Sequence, residues 1–261
     1  MTLNPGNFDA LLPGYPAALF DLLSRGLQLP HSPRVVDIGA GTGRASLAMA
    51  RLGWQVTALE PDAPTLDVLR ERASAEGLQV ATVEATAERT GLRSASVDLA
   101  TAAHAFHWFN KRLALEEIVR VTRPGGGVAL FWNVRDRSRS AFIAAHRRVL
   151  DRHGMPKRLY LEAERASGRA TRDALAREVG LAPARLIHLE HEMAMRPDEF
   201  ITLGLLPGWV RALPRTRQEA YRADLVELLA DHGYIGEALV TIPYRIDCWI
   251  ATRRPDGEGT R

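Results

Sequence analysis

A short apolar run, Arg34–Ile38, leads directly into the glycine-rich segment Gly39–Arg44 (GAGTGR), and a helix-like stretch follows it. Closely spaced glycines let backbone N–H groups approach a ligand, and a strand, a tight turn and a helix in this order are typical of a parallel sheet. The alternation of strand-like and helix-like segments continues with further strands predicted at Gln55–Leu59, Leu78–Val83, Val97–Ala102 and Val128–Asn133. The first half therefore predicts an α/β fold with a doubly wound parallel sheet.

The second half is less regular. Helix-like patterns cover much of residues 138–229, and strands are predicted at about 186–195 and at Val240–Ala251, where Pro243 predicts a bulge or a break. We expect three regions: a core over residues 1–134, a helical cap over 135–238 that contributes the strand at about 186–195, and the last strand with a tail over 239–261.

Composition excludes several classes of protein. The longest stretch without a charged side chain, Leu99–Asn110, has 12 residues, whereas a membrane-spanning helix needs roughly 20. The N-terminus lacks the basic and apolar segments of a secretory signal, so we expect a cytoplasmic protein with no membrane segment. Cys248 is the only cysteine, which excludes internal disulfides and thiolate metal clusters.

Positive charge is concentrated between residues 135 and 172. This segment holds ten arginines and one lysine against four acidic residues, a net charge of +7 in a chain whose total is +3. Such a segment indicates either a solvated helical surface or attraction to an anionic partner.

The glycine spacing and two carboxylates indicate what the turn binds. The spacing is G-x-G-x-G with Arg44 at the sixth position, whereas a dinucleotide turn has a glycine there. A carboxylate at Asp37 repels phosphate and attracts an amino group, and Glu60, which follows the second strand, is placed to accept hydrogen bonds from ribose hydroxyls. This combination suits a nucleoside with a cationic amino-acid tail, namely S-adenosylmethionine, although a simple strand–helix connection also explains the glycines.

Six motifs in order carry a family resemblance. They are PGYP at 13–16, VVDIGAGTGR at 35–44, ALEPD at 58–62, ATAERTGL at 85–92, VDLATAAHAFHWFN at 97–110 and VTRPGGGVALFWNVRD at 121–136. With them, the sequence resembles a class I S-adenosylmethionine-dependent methyltransferase, in particular the small-molecule branch with an AFHWF segment after strand four. The resemblance implies a Rossmann-like seven-stranded sheet with an antiparallel last strand and a helical cap.

The resemblance also implies which residues hold S-adenosyl-L-methionine. The glycine turn approaches the methionine part, the acid after strand two binds the ribose, the segment after strand three lies at the adenine edge, and a histidine after strand four passes the methionine group. The expected cofactor-binding residues are Asp37, Gly39, Ala40, Gly41, Gly43, Glu60, Pro61, Thr86, Ala87 and His104.

Methyl transfer to oxygen, nitrogen or carbon needs an acceptor aligned with the C–S bond. We expect His107 to act as a general base or to orient the acceptor, because histidine titrates near neutrality and this one lies at the carboxyl edge of the sheet. The expected acceptor-binding residues are Trp108, Trp132, Asn133 and Arg135. Structural packing of His107 and these side chains is the alternative. No metal site is expected, because His188 and His191 lie on opposite faces of a strand.

Three other functions compete. A nucleic-acid methyltransferase would bind phosphates through the basic segment, but base-amino methylation usually carries an Asn/Asp-Pro-Pro-aromatic motif where this chain has AHAFHWF. Arg44 and Asp37 argue against an NAD-dependent oxidoreductase. A nonenzymatic interaction protein that retains the cofactor fold stays open. We expect a small-molecule acceptor, anionic if the basic segment binds it; the sequence does not predict its identity or the oligomeric state.

Overall fold

The computed structural model describes residues 11–156 and 166–256. The first half alternates helices and strands, and its elements are α1 (Ala17–Gly26), β1 (Arg34–Ile38), α2 (Arg44–Arg51), β2 (Gln55–Leu59), α3 (Ala63–Ala75), β3 (Val80–Val83), β4 (Val97–Ala103), α4 (Lys111–Val121) and β5 (Thr122–Arg135). The second half contains α5 (Ala141–Arg152), α6 (Arg169–Arg177), β6 (Arg185–Met195), α7 (Pro197–Leu205), α8 (Gly208–Arg211), α9 (Arg215–Asp231) and β7 (Val240–Thr252). Short 3-10 turns at Phe106–Trp108 and Arg137–Arg139 follow β4 and β5.

Seven strands form one mixed sheet in the order β3-β2-β1-β4-β5-β7-β6. Strands β1 to β5 pair in parallel. The hydrogen bonds between β5 and β7 show the direction of their pairing. The Gly125 N–H donates to the Arg253 carbonyl and the Asp136 N–H donates to the Pro243 carbonyl, so residue numbers rise along β5 as they fall along β7. Strand β7 is therefore antiparallel to β5, and the predicted Rossmann-like α/β fold with an antiparallel last strand is confirmed.

Contacts divide the chain into two compact units. Among the described residues, unit 1 comprises residues 11–13, 133–156 and 190–245, and unit 2 comprises residues 14–132, 166–189 and 246–256. Each has its own buried apolar cluster among the described residues, around Phe142, Phe200 and Leu225 in unit 1 and around Phe20, Leu99 and Phe131 in unit 2. This division rests on contacts and does not test the three expected regions, whose boundaries at residues 134 and 238 stay a proposal.

The structure differs from the sequence analysis in three places. Strand β5 begins at Thr122 rather than Val128, because Thr122 pairs with Val97 before a register shift brings Gly127 opposite Leu99. Strand β7 does not break at Pro243, whose carbonyl accepts the Asp136 N–H at 2.9 Å. Helix α1 was not predicted; its residues Leu19, Phe20 and Leu23 are buried.

The single cysteine lies on β7 within the core of unit 2. Cys248 is only 1% exposed and is free. Burial raises the pKa of its thiol well above the ordinary value, with a smaller contribution from Asp247. The thiol is therefore uncharged and enclosed in the folded chain.

Candidate active site

All three glycines of the turn after β1 have a backbone conformation that favours glycine. Gly39, Gly41 and Gly43 have φ of +69°, +56° and +91°, in the left-handed region that other residues rarely adopt. A Cβ on Gly39 would lie 2.7 Å from the Cβ of Ala105, whereas a Cβ on Gly41 would meet no heavy atom within 4 Å. The turn thus packs tightly against the segment after β4 at one end and faces open space at the middle.

Asp37 lies beneath this turn and is fully buried. Its two carboxylate oxygens accept hydrogen bonds from the hydroxyls of Ser46 on α2, at 2.6 Å, and Thr101 on β4, at 2.8 Å. Burial raises the pKa of Asp37 to about 6, against the lowering effect of these hydrogen bonds. In this arrangement Asp37 joins β1, α2 and β4 around the turn, and its expected contact with a cofactor amino group stays a proposal.

Glu60 connects the turn to the end of β2. Its Oε2 accepts the Gly41 N–H at 3.0 Å and its Oε1 accepts the Asp62 N–H at 3.3 Å. The N–H groups of Gly39 and Ala40 both donate to the Leu59 carbonyl, at 2.8 and 3.0 Å. The carboxylate therefore lies directly beside the middle of the glycine turn.

The expected adenine edge follows β2 and β3. Pro61 is exposed, just before Asp62 caps α3. Thr86 is also exposed and its carbonyl accepts the Arg89 N–H at 3.2 Å, whereas Ala87 is buried. Threonine hydroxyls donate and accept, so Thr86 is available to a ligand from the surface.

His104 follows β4 in an unusual conformation. Its φ is +55°, and its N–H donates to the Phe131 carbonyl at 2.7 Å. A non-glycine residue in this region persists only where its surroundings enforce it, and such residues cluster at functional sites. Burial, with smaller contributions from His107 and Arg44, lowers the pKa of His104 to about 4, so its ring is neutral at pH 7.

His107 contacts three aromatic rings of unit 2. Its ring lies 5.5 Å from that of His104 and 4.8 Å from that of Trp108, which is 74% exposed. The indole N–H of Trp132 donates to Nδ1 of His107 at 3.3 Å. Because Nδ1 accepts, the neutral ring carries its proton on Nε2. Burial, followed by the charge of Lys111, lowers the pKa of His107, which favours this neutral form.

Asn133 and Arg135, the other expected acceptor residues, belong to unit 1. Oδ1 of Asn133 accepts from Nε2 of His191 at 2.7 Å, and its Nδ2 donates to the Pro13 carbonyl at 3.2 Å. Nε of Arg135 donates to the Tyr244 hydroxyl at 3.4 Å, and the Tyr244 ring stacks on His191 at 5.5 Å. The expected acceptor residues therefore fall into two groups, one in each unit.

Sequence reasoning missed several partners. Ser46, Thr101, His191 and Tyr244 were not predicted as site residues, although each bonds to or stacks beside a site residue or its partner. One signal was available for the hydroxyls, since Ser46 and Thr101 interrupt otherwise apolar, buried faces of α2 and β4. Within residues 11–156 and 166–256, no three metal-ligating side chains lie together and no helix is long and apolar enough to cross a membrane.

Comparison with known sequences agrees with this geometry. Residues 36–130 match the family model described as a methyltransferase domain. An uncharacterized methyltransferase of Mycobacterium tuberculosis is 36% identical over 154 residues, which cover 59% of each chain. The malonyl-[acyl-carrier protein] O-methyltransferase of Salmonella typhimurium is 38% identical over 96 residues, 36% of this chain and 37% of that protein. The chain thus spans about three fifths or less of the length of these curated relatives.

Comparison with solved structures covers more of the chain. A protein of Anaeromyxobacter dehalogenans, named as a candidate type II methyltransferase, aligns with a TM-score of 0.67 and 26% identity over 93% of this chain and 97% of its own. A structure described under the conversion of a disulfide bond into a thioacetal group during echinomycin biosynthesis has the same fold, with a TM-score of 0.53 and 19% identity over 98% of this chain and 88% of its own.

Proposed function

We infer that the chain is a class I S-adenosylmethionine-dependent methyltransferase, and we propose that it transfers the methyl group of S-adenosylmethionine to a small-molecule acceptor. Members of the family generally use this cofactor. The observation that carries the proposal is the glycine turn at the end of β1 with the Glu60 carboxylate bonded to its middle N–H.

The residues present fit the cofactor. The open face of the turn at Gly41 would accommodate the methionine part, Glu60 would accept from the ribose hydroxyls, and the segment at Thr86–Ala87 and Pro61 would border the adenine. His104 follows β4 and precedes Ala105, the residue that packs against Gly39 of the turn. When bound, the cofactor supplies an electrophilic methyl on a sulfonium, so the chain's residues have to align an acceptor rather than activate the methyl.

Calorimetry on a matched pair of variants tests cofactor binding. Glu60→Ala removes the carboxylate proposed to bind the ribose, and a charge-assisted hydrogen bond contributes about 1.5–3 kcal/mol, so S-adenosylmethionine affinity should fall roughly tenfold or more. Glu88→Ala is the control, because Oε1 of Glu88 accepts the Asn110 N–H at the start of α4. Equal losses in both variants would contradict the assignment of Glu60.

On the acceptor side, we assign His107 an orienting role. Trp132 donates to Nδ1 of His107, so the ring's own N–H is at Nε2. This N–H can donate to an acceptor atom and fix its direction. Trp108 adds an exposed aromatic surface beside it. To act as a base through Nε2, His107 would need its lone pair on Nε2 and its proton on Nδ1. The Trp132 N–H opposes this tautomer because it donates to Nδ1.

A small acceptor is favoured over a nucleic acid. Several described arginines of the basic segment 135–172 have acidic partners: Arg139 pairs with Glu190 and Glu192, Arg147 with Asp151, and Arg152 with Asp224. The O-methyltransferase relative also acts, by its name, on a carrier-bound small acid. Incubation with S-adenosylmethionine and a metabolite panel should give a product heavier by one methylene. Methylation of RNA alone would contradict the proposal, and failure to bind the cofactor would favour a nonenzymatic role.

A further inference from the structure

Arg135 is unlike those described arginines of the basic segment that pair with an acidic residue. It is partly buried at the end of β5, and its described hydrogen bond is to a neutral group, the Tyr244 hydroxyl. Among residues 11–156 and 166–256, no aspartate or glutamate lies within ion-pair distance of it. A guanidinium that has lost part of its water without gaining a carboxylate is unfavourable unless a ligand supplies the negative charge.

Two neighbours of Arg135 in unit 1 carry buried polar atoms with no hydrogen-bond partner in the part of the chain that the structure describes. They are the hydroxyl of Tyr221, whose side chain is fully buried, and Nε2 of His146, which is 4% exposed. Both interact electrostatically with Arg135. Nε1 of Trp209 is a third such atom, and the Trp209 ring lies 5.6 Å from that of Tyr221. Buried polar groups are nearly always hydrogen-bonded, so several unpartnered ones around one cation point to a missing anion.

The protonation states suit an anion with one charge. Burial, followed by the charge of Arg135, lowers the pKa of His146 to about 3, and burial raises the pKa of Tyr221 to about 12. At pH 7 both side chains are therefore neutral, and each can donate one hydrogen bond. The cluster thus offers one positive charge surrounded by neutral donors.

We propose that Arg135, Tyr221 and His146, all in unit 1, bind a carboxylate; this anion site stands independently of the proposed function. Nε of Arg135 is directed at Tyr244, which leaves the two terminal nitrogens for a planar, bidentate partner. A single cation matches a carboxylate better than a doubly charged phosphate.

Acetate is the probe, and saturation-transfer NMR from the protein to its methyl protons is the measurement, made without cofactor. We expect acetate to bind at millimolar concentration and Arg135→Met to weaken binding roughly tenfold or more. Arg148→Met is the matched control, since it removes an exposed arginine of the same segment. Equal binding by the two variants, or no transfer in the unmodified protein, would overturn the site.

Further variants and a second anion complete the test. Tyr221→Phe removes only the hydroxyl and should weaken acetate severalfold, which keeps the test valid if Arg135→Met does not fold. Displacement of acetate by a lower concentration of inorganic phosphate would overturn the choice of carboxylate. S-adenosylmethionine calorimetry on the same samples separates the two proposals: acetate binding without cofactor binding refutes the proposed function alone, and the reverse refutes the anion site alone.

Discussion

At the scale of single residues, the hydrogen bond from Trp132 decides how His107 can act. With Nδ1 accepting and the pKa lowered by burial, His107 is a neutral donor at Nε2. Gln retains an N–H near that position, so His107→Gln should keep kcat within a few-fold, whereas His107→Leu should lose roughly tenfold or more. Rate–pH profiles check this. A loss of about 10²–10⁴-fold in the Gln variant, with an ascending limb in the unmodified enzyme, would instead identify a general base.

Asp37 predicts a second pH effect, on stability. Its folded pKa of about 6 exceeds the ordinary aspartate value of 3.8, so between these pH values the folded state holds a proton that the unfolded chain releases. The unmodified protein should therefore lose stability relative to Asp37→Asn as pH rises from about 4 to 6, by up to ~3 kcal/mol, and stay level above that range. Urea unfolding of both proteins across this range measures it. A difference that is constant with pH would mean that Asp37 is ionised throughout.

Local motifs predicted the residues of the glycine turn and the acid at position 60, because these lie next to one another or at successive strand ends. They could not predict the pairing of Asp37 with Thr101, since the two are 64 residues apart. The positive φ of His104 and the surroundings of Arg135 likewise depend on distant neighbours, which no local pattern contains.

At the scale of elements, the close approach of the β1 turn to the segment after β4 can be tested at Gly39. Gly39→Ala adds strain at positive φ and brings a Cβ to 2.7 Å from that of Ala105. We expect a loss of ~2–4 kcal/mol and weaker cofactor binding. Gly77→Ala is the control, because its φ is +66° but nothing lies within 4 Å. Similar losses in the two variants, measured by urea unfolding, would show that only backbone strain matters.

Strand and helix positions were predicted well where apolar segments are clearly separated by turn residues along the sequence. Exceptions have identifiable causes. Gly125, with φ +72°, allows β5 to resume pairing after an irregular segment, so the glycines between Thr122 and Val128 do not mark the start of the strand. Pro243 lies within β7 because its carbonyl still joins the ladder.

At the scale of the whole molecule, the basic segment is partly neutralised by its own acidic partners. If recognition depends on Arg135 rather than on a diffuse positive surface, the acceptor KM should rise less than about threefold between low salt and 0.5 M, because short, partly buried contacts are screened weakly. Steady-state kinetics at several salt concentrations test this. A rise of tenfold or more would indicate long-range attraction by exposed arginines.

Each unit is assembled from segments distant in sequence, so no linker composition could have indicated the division of the chain into two units.

The enclosed cysteine gives the chain a built-in reporter of opening. Cys248 is the only thiol in 261 residues, and in the folded state it is 1% exposed. A chromogenic disulfide reagent should therefore react only with molecules whose β7 has transiently detached, at a rate set by that opening rather than by reagent concentration once reagent is abundant. The time course would follow strand release under native conditions, without denaturant. A cysteine introduced on the surface would be labelled selectively, because Cys248 stays enclosed in the folded chain.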